Sequence, residues 1–456
     1  MSNFLPNALI ERLNKEPEFN MQAFLQVHEQ EQKISSVRIN PAKLKNPQAL
    51  FPQAESIPWC DRGYFLKKRP VYTLDPLYHA GAYYSQEASS MFLAYAIQQL
   101  QLDKKALIAL DMCAAPGGKS TLLQSYLSDD SLLVSNEIIK SRANILAENM
   151  MKWGGANVVV TNNDPVSFGR LPGFFDLMVV DAPCSGSGMF RKDHDAIDEW
   201  SEANVKLCAE RQKRILADSI EALKTDGYLF YSTCSYSREE NEEIVDWLSE
   251  EFDMKGIDLD VRAEWKITRS QTPKSNAQTF RFYPHEIKGE GFFFAILQKK
   301  ADQSSFNRKR IKTEKNAAPK DELQKWINDE GLYAFLHQDQ LHAFPKAYAL
   351  ELEALQRVLY LKNAGTAVGK WTGRELIPSH DLALSMHVRK DIPAIDVDLE
   401  SALQYLRKDN LDAAVNNSGK TGWLLVRYEG INLGWVKALP NRINNYYPKE
   451  LRIANL

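Results

Sequence analysis

The sequence predicts an α/β fold, a mainly parallel sheet wrapped by helices. From about residue 106, short apolar runs alternate with segments of helical periodicity, the pattern of strands joined by crossover helices. A glycine-rich turn, "CAAPGGKS" (Cys113–Ser120), joins the first run to the first helix. The runs end in small, acidic or thiol-bearing residues: "CAAPGGKS", "NE", "NND", "DAPC" and "STCS". Open parallel sheets bind ligands beyond the carboxyl ends of their strands, so five such ends point to one site.

Each element has its own signal. "MSNFLPNALIERLNK" reads as a short amphipathic helix, and "SSVRINPAKL" as a strand ending at Pro41. Residues 1–75 therefore mix helix and strand, a small α+β domain. Within 76–300 the strands are "ALIALDMC", "LLVSNE", "NVVVTN", "FDLMVVD" and "GYLFYSTC", closed by "GEGFFFAILQKK". Between them run helix-periodic segments, the longest being "EANVKLCAERQKRILADSIEAL". Residues 301–320 are polar without apolar period and read as a linker. "LQKWINDEGLYAFL" then looks helical. From about residue 369, turns and short strands such as "GWLLVRYEGINLGWVKAL" predict a small β-rich domain within 321–456.

Composition bounds the function. A chain of 456 residues exceeds one ordinary core. No apolar run approaches the roughly 20 residues that span a membrane. The start lacks a basic-then-apolar signal pattern, so a cytoplasmic protein is expected. The five cysteines, Cys60, Cys113, Cys184, Cys208 and Cys234, are odd in number and have no C-x-x-C pair. That argues against a disulfide framework or a zinc site, and no metal is expected. Net charge is only −3, so a nucleic-acid partner would need local basic patches. Two exist, "KKR" (Lys67–Arg69) and "NRKRIKTEK" (Asn307–Lys315).

The turn at 113–120 is neither a P-loop nor a G-x-G-x-x-G fingerprint. A cofactor without phosphates fits better. Glu137 ends the second strand, where an acid commonly holds ribose hydroxyls, and Asp164 follows the third. Each acid also suits a helix N-cap. Two thiols stand at strand ends, Cys184 in "DAPCSGSG" and Cys234 in "STCS", and residue chemistry alone does not choose between them. Arg38, Arg191 and Lys192 are candidate phosphate contacts, with surface salt bridges as the alternative.

The motifs "DMCAAPGGKS", "VVDAPCSGSGMFRKD" and "LFYSTCSYSREENEEIV", flanked by "SSVRIN", "YYSQEASSM" and "RFYPHEIKGEGFFFAIL", together resemble the Sun/nucleolar-protein family of RNA cytosine-5 methyltransferases. The resemblance covers about residues 30–300. With the C-terminal extension it is closest to the bacterial subgroup that modifies small-subunit ribosomal RNA. It implies a Rossmann-like class I methyltransferase sheet over 76–300, an N-terminal RNA-binding subdomain over 1–75 and a PUA-like domain at the C-terminus. It implies S-adenosylmethionine held by Cys113, Ala114, Ala115, Pro116, Gly117, Gly118, Lys119, Glu137, Arg142, Asp164 and Asp181. It implies Cys234 as the thiolate that adds to cytosine C6, Cys184 as the thiol that assists product release, Asp181 at the cytosine N3–N4 edge, and Lys119 near the methyl donor. In DNA cytosine-5 methyltransferases the fourth-strand cysteine attacks instead, which would be Cys184. The expected partner is ribosomal RNA or the small ribosomal subunit, met by a monomer.

Basic and aromatic residues interleave in the C-terminal region: Lys370, Trp371, Arg374, Trp423, Arg427, Trp435 and Lys437. They suit RNA stacking or a small β core equally. Two other functions stay open at this point: the same chemistry on transfer RNA, and a non-catalytic ribosome-assembly factor.

Overall fold

The computed structural model describes residues 5–17, 19–30, 33–304, 306, 320–337, 339–372, 375–412 and 419–454. Its centre is a sheet of ten strands among the described residues. Five are parallel: β1 (Ile108–Asp111), β2 (Leu132–Asn136), β3 (Val158–Thr161), β4 (Phe175–Asp181) and β5 (Leu223–Thr233). They lie in the order β3-β2-β1-β4-β5. Beyond β5 the antiparallel strands β6 (Met254–Gly256), β7 (Thr268–Gln271), β8 (Gln278–Phe282) and β9 (Phe292–Lys299) extend the sheet. β9 pairs with β5, β6 and β8. At the other edge β10 (Leu361–Ala364) pairs antiparallel with β3, so the chain returns to the central sheet late.

The apolar runs are continuous because both sheet faces are covered. Successive residues alternate between two cores. Ala109, Leu133, Val160, Leu177, Val179 and Phe230 face one. Leu110, Val134, Val159, Met178, Val180 and Tyr231 face the other. Burying each Leu, Val or Phe contributes about 1.5–3 kcal/mol over exposure. The helices flanking the site are α1 (Gly118–Tyr126), α2 (Lys140–Trp153), α3 (Glu202–Ser219) and α4 (Glu242–Phe252). Ser201 caps α3 by accepting from Asn204 N at 3.1 Å.

A four-stranded antiparallel sheet lies on the N-terminal side, built from Ser35–Ile39, Glu55–Ile57, Cys60–Leu66 and Tyr83–Ser85. Two four-stranded sheets form the C-terminal region, the last containing the hairpin Gly422–Tyr428 and Ile431–Leu439. One expectation fails. The segment "LQKWINDEGLYAFL" is helical only to Trp326, and Leu332–His337 is a strand paired with Gln340–Pro345. The break is a turn in which Asp329 Oδ1 accepts from Gly331 N at 2.8 Å, a local competitor of helix continuation. "NRKRIKTEK" and Arg374 lie outside the described residues.

Candidate active site

β4 and β5 run parallel with Asp181 opposite Ser232. Their loops therefore leave the sheet side by side. Cys184 Sγ comes within 2.9 Å of Cys234 Sγ, and both cysteines are free. The bond to Cys234, then burial, raise the Cys184 thiol well above its ordinary range. Close approach of the loops needs glycine. Gly188 N donates to Cys234 O at 2.8 Å, and Gly291 N donates to Gly188 O at 3.0 Å. A Cβ on Gly188 would lie 2.5 Å from Gly291 O and 2.9 Å from Cys234 O, closer than any side chain tolerates.

A charged pair stands beside the thiols. Lys119 Nζ, in the first turn of α1, lies 2.7 Å from Asp181 Oδ2 at the tip of β4. Ser232 Oγ donates to Asp181 Oδ1 at 2.7 Å. The Lys119 ammonium also sits 5.2 Å from the centre of the Phe292 ring. Beneath them Asp111 is wholly buried; it accepts from Ser120 Oγ at 2.7 Å, while its Oδ1 has no partner. Burial pushes its carboxyl up to about 7, against the Ser120 hydrogen bond and the Lys119 charge.

The comparisons bear on this geometry. Residues 97–298 match the family described as 16S rRNA methyltransferase RsmB/F. Residues 5–88 match the N-terminal domain of 16S rRNA methyltransferase RsmF, and residues 392–453 the methyltransferase RsmF PUA domain. A ribosomal RNA small subunit methyltransferase F from Aeromonas salmonicida is 30% identical over 439 residues, which cover 91% of this chain and 90% of that one. The chain belongs to the RsmB/F family. The protein of the same name from Vibrio campbellii is 28% identical over 98% of each chain. A crystal structure of a methyltransferase homologue from Pyrococcus horikoshii is 28% identical, with a TM-score of 0.54 over 64% of this chain and 95% of that one. The motif resemblance, the Rossmann-like sheet and the PUA-like C-terminus all agree with RsmB/F membership.

S-adenosylmethionine is the cofactor of an RsmB/F methyltransferase, and the residues present fit it. Asp111, Glu137, Asp164 and Asp181 end or follow four adjacent strands, a set of acids that repels polyphosphates and suits a cationic sulfonium with its ammonium. The orphaned Asp111 Oδ1 is a buried acceptor of the same kind. Two apolar side chains near these acids in sequence, Ile138 and Val166, are 50% and 58% exposed.

The turn that would hold the cofactor is fixed by backbone contacts. Ala114 N donates to Asn136 O at 2.8 Å, tying Cys113–Ala115 to β2. Arg142 Nη2 donates to Ala115 O at 2.9 Å and Asn149 Nδ2 to Pro116 O at 2.8 Å. Gly117 has φ +117°, and Gly118 opens α1, so the left-handed turn needs glycine at 117. Glu137 is buried and accepts from Ile139 N at 2.9 Å; its other oxygen lies 3.7 Å from Arg142. Asp164 caps the turn Pro165–Arg170, accepting from Val166 N at 3.1 Å, as a capping acid does. Cys113 is half-buried and packs against the core beside the turn, where burial raises its thiol. Cys208 and Cys60 are buried.

Two expected phosphate contacts are corrected. Arg38 is wholly buried. Its guanidinium donates to Gln86 Oε1 at 2.8 Å, Thr121 Oγ1 at 2.6 Å and Ser125 Oγ at 3.1 Å, and it stacks on Trp153 at 4.6 Å. It joins the N-terminal sheet to α1 and α2. Arg191 is also buried, with Nη1 donating to Gly289 O at 3.2 Å and lying 3.6 Å from Glu290 Oε2. Lys192, next to it, is exposed, as are Lys67, Lys68 and Arg69. At the C-terminus Trp435 is core, its Nε1 donating to Ser379 O at 2.7 Å. Trp423 is half-buried, with Tyr446 at 4.4 Å and Lys437 over its ring at 5.1 Å.

Proposed function

We propose that this protein is an S-adenosylmethionine-dependent RNA methyltransferase that makes 5-methylcytosine in small-subunit ribosomal RNA through a cysteine–C6 adduct. The observation that carries the reading is the thiol pair, Cys184 and Cys234 at 2.9 Å on adjacent strand ends, beside the Lys119–Asp181 pair. The names of the curated relatives support ribosomal RNA of the small subunit as substrate.

S-adenosylmethionine, when bound, supplies an electrophilic methyl group. Cytosine C5 is a poor nucleophile until a thiolate adds to C6. Cys234 forms the S–C6 bond, and the electron pair of the 5,6 double bond becomes available at C5. Cys184, held protonated by its bond to Cys234 and by burial, leaves Cys234 the thiol that attacks. Asp181 is 37% exposed and has lone pairs left to accept from the cytosine amino group, while Lys119 holds its orientation. Once Cys234 is a thioether, Cys184 loses the hydrogen bond that most raises its thiol, and the fraction that then gives its proton to solvent serves as the base. The Cys184 thiolate then takes the C5 proton, the 5,6 double bond re-forms, and the C6–S bond breaks with Cys234 leaving as thiolate. The cycle returns both cysteines to their starting state. The base must leave its stack or be unpaired for this chemistry.

The test is to incubate Cys184→Ser and Cys234→Ser variants with substrate RNA and cofactor and to look for a covalent protein–RNA band under denaturing conditions. Cys184→Ser accumulates the adduct and Cys234→Ser forms none. The reverse result assigns the attack to Cys184. Bisulfite sequencing of RNA from a deletion strain identifies the cytosine that loses its mark, and a transfer RNA site there removes the ribosomal reading.

A further inference from the structure

Three consecutive residues in "REENEE" hold the loop that carries Cys234. Glu240, Asn241 and Glu242 are all buried. Asn241 accepts from Thr233 Oγ1 at 2.6 Å and donates to Ser235 O at 2.8 Å. Glu242 pairs with Arg281, whose Nη1 donates to Tyr236 O at 3.1 Å. Both act on the Cys234 loop. Glu240 also reaches the other loop: its carboxylate accepts from Ser185 N at 2.7 Å, from Ser185 Oγ at 2.6 Å and from Ser235 Oγ. Ser185 follows Cys184 and Ser235 follows Cys234. The Glu240 backbone is fixed in turn, its carbonyl accepting from Tyr231 OH at 2.6 Å.

We propose that Glu240 is a positioning residue for the thiol pair: one buried carboxylate, bonded to the residue after each cysteine, holds Cys184 and Cys234 in contact. Three donors converge on it, which is the environment of an ionised acceptor. Burial raises its carboxyl and the serine donors oppose that rise. The glycine contacts at Gly188 bring the loop backbones together; the carboxylate sets the side of each loop on which its cysteine stands. Glutamine in its place brings an N–H group against donors, so at least one serine loses its partner. The inference rests on the proposed reaction for its consequence and on geometry alone for its substance.

The experiment uses the full chain and two readouts. The first needs no RNA. Diamide takes two electrons and two protons from a pair of adjacent thiols, leaving a Cys184–Cys234 disulfide and the reduced hydrazine form of the reagent. The rate of disulfide formation, read by peptide mass spectrometry, reports thiol proximity. Glu240→Gln slows it by roughly tenfold relative to the unsubstituted chain. The second readout is methyl transfer, in which Glu240→Gln lowers kcat by roughly 10- to 100-fold, leaves KM for RNA unchanged and accumulates covalent adduct. Ser235→Ala removes one donor and moves both readouts in the same direction less far, so a Glu240→Gln chain that fails to fold still leaves the test standing. An unchanged disulfide rate in folded Glu240→Gln, or in Ser235→Ala if only that folds, overturns the inference. A slowed rate together with no adduct from Cys184→Ser leaves the inference intact and removes the reaction proposed above.

Discussion

Lys119 Nζ lies 2.7 Å from Asp181 Oδ2, so the first turn of one helix is ion-paired to the tip of the fourth parallel strand. A lysine in the first turn of a helix opposes the helix dipole. Here Asp181 offsets that opposition, and the Phe292 ring lies under the ammonium. The pair is partly exposed on the Asp181 side, so its contribution to stability is small. In the proposed reaction the pair orients the Asp181 carboxylate.

Lys119→Ala and Asp181→Ala are expected to lower kcat/KM by about 10²–10³-fold, the range seen when one preorganised polar group is removed from a reacting centre. Thermal unfolding should change little. Steady-state methyl transfer with matched melting curves checks this, and full activity in either variant removes the pair from the mechanism.

Gly188→Ala places a methyl group 2.5 Å from Gly291 O. The loops must separate, which costs about 1–3 kcal/mol of stability. Turnover should fall roughly 100-fold, because an ångström of misplacement is enough to do so. Denaturant melts and single-turnover rates measured on the same preparation test both halves.

Two of the candidate phosphate contacts should respond differently. Arg38→Met removes a buried guanidinium with side-chain partners at Gln86, Thr121 and Ser125 and should destabilise the fold by about 3 kcal/mol, without changing the salt dependence of RNA binding in the folded fraction. Lys192→Ala, at an exposed site, should leave stability within about 0.5 kcal/mol and reduce the salt slope of RNA affinity by about one. Binding titrations across salt concentrations distinguish them.

Asp111 makes a pH prediction. Its folded carboxyl sits at about 7, raised by burial from an ordinary value of 3.8. The folded state therefore holds this proton more tightly than the unfolded state. Its contribution to stability is full below the unfolded value and is lost as pH rises through the folded one. Asp111→Asn cannot ionise, so its melting temperature relative to the unsubstituted chain should climb between pH 4 and pH 7, by several degrees. A constant difference across that window contradicts the assignment.

What was legible in the sequence was local. The five parallel strands and their helices could be read because both sheet faces are buried, which makes each strand a short apolar run, and because helices repeat every 3.6 residues. The candidate acids and both thiols stood out because strand ends are where such sheets bind ligands. The late edge strand Leu361–Ala364 was not, since nothing in four residues says that they pair with Val158–Thr161 some 200 residues earlier. Glu240 was hidden among seven acids in "REENEE" and the following helix, where a solvated face and a buried clamp look alike.

The sequence by itself determined the order of strands and helices, the glycine turn, and which residue types end each strand, because propensity and periodicity act over a few residues. Tertiary structure decided that Arg38 and Arg191 are buried structural groups while Lys192 faces solvent, since burial depends on what packs against a side chain from elsewhere. It decided equally that two cysteines 50 residues apart stand 2.9 Å from each other. That contact exists because β4 and β5 lie in register, two glycines let their loops touch, and one buried carboxylate joins Ser185 to Ser235.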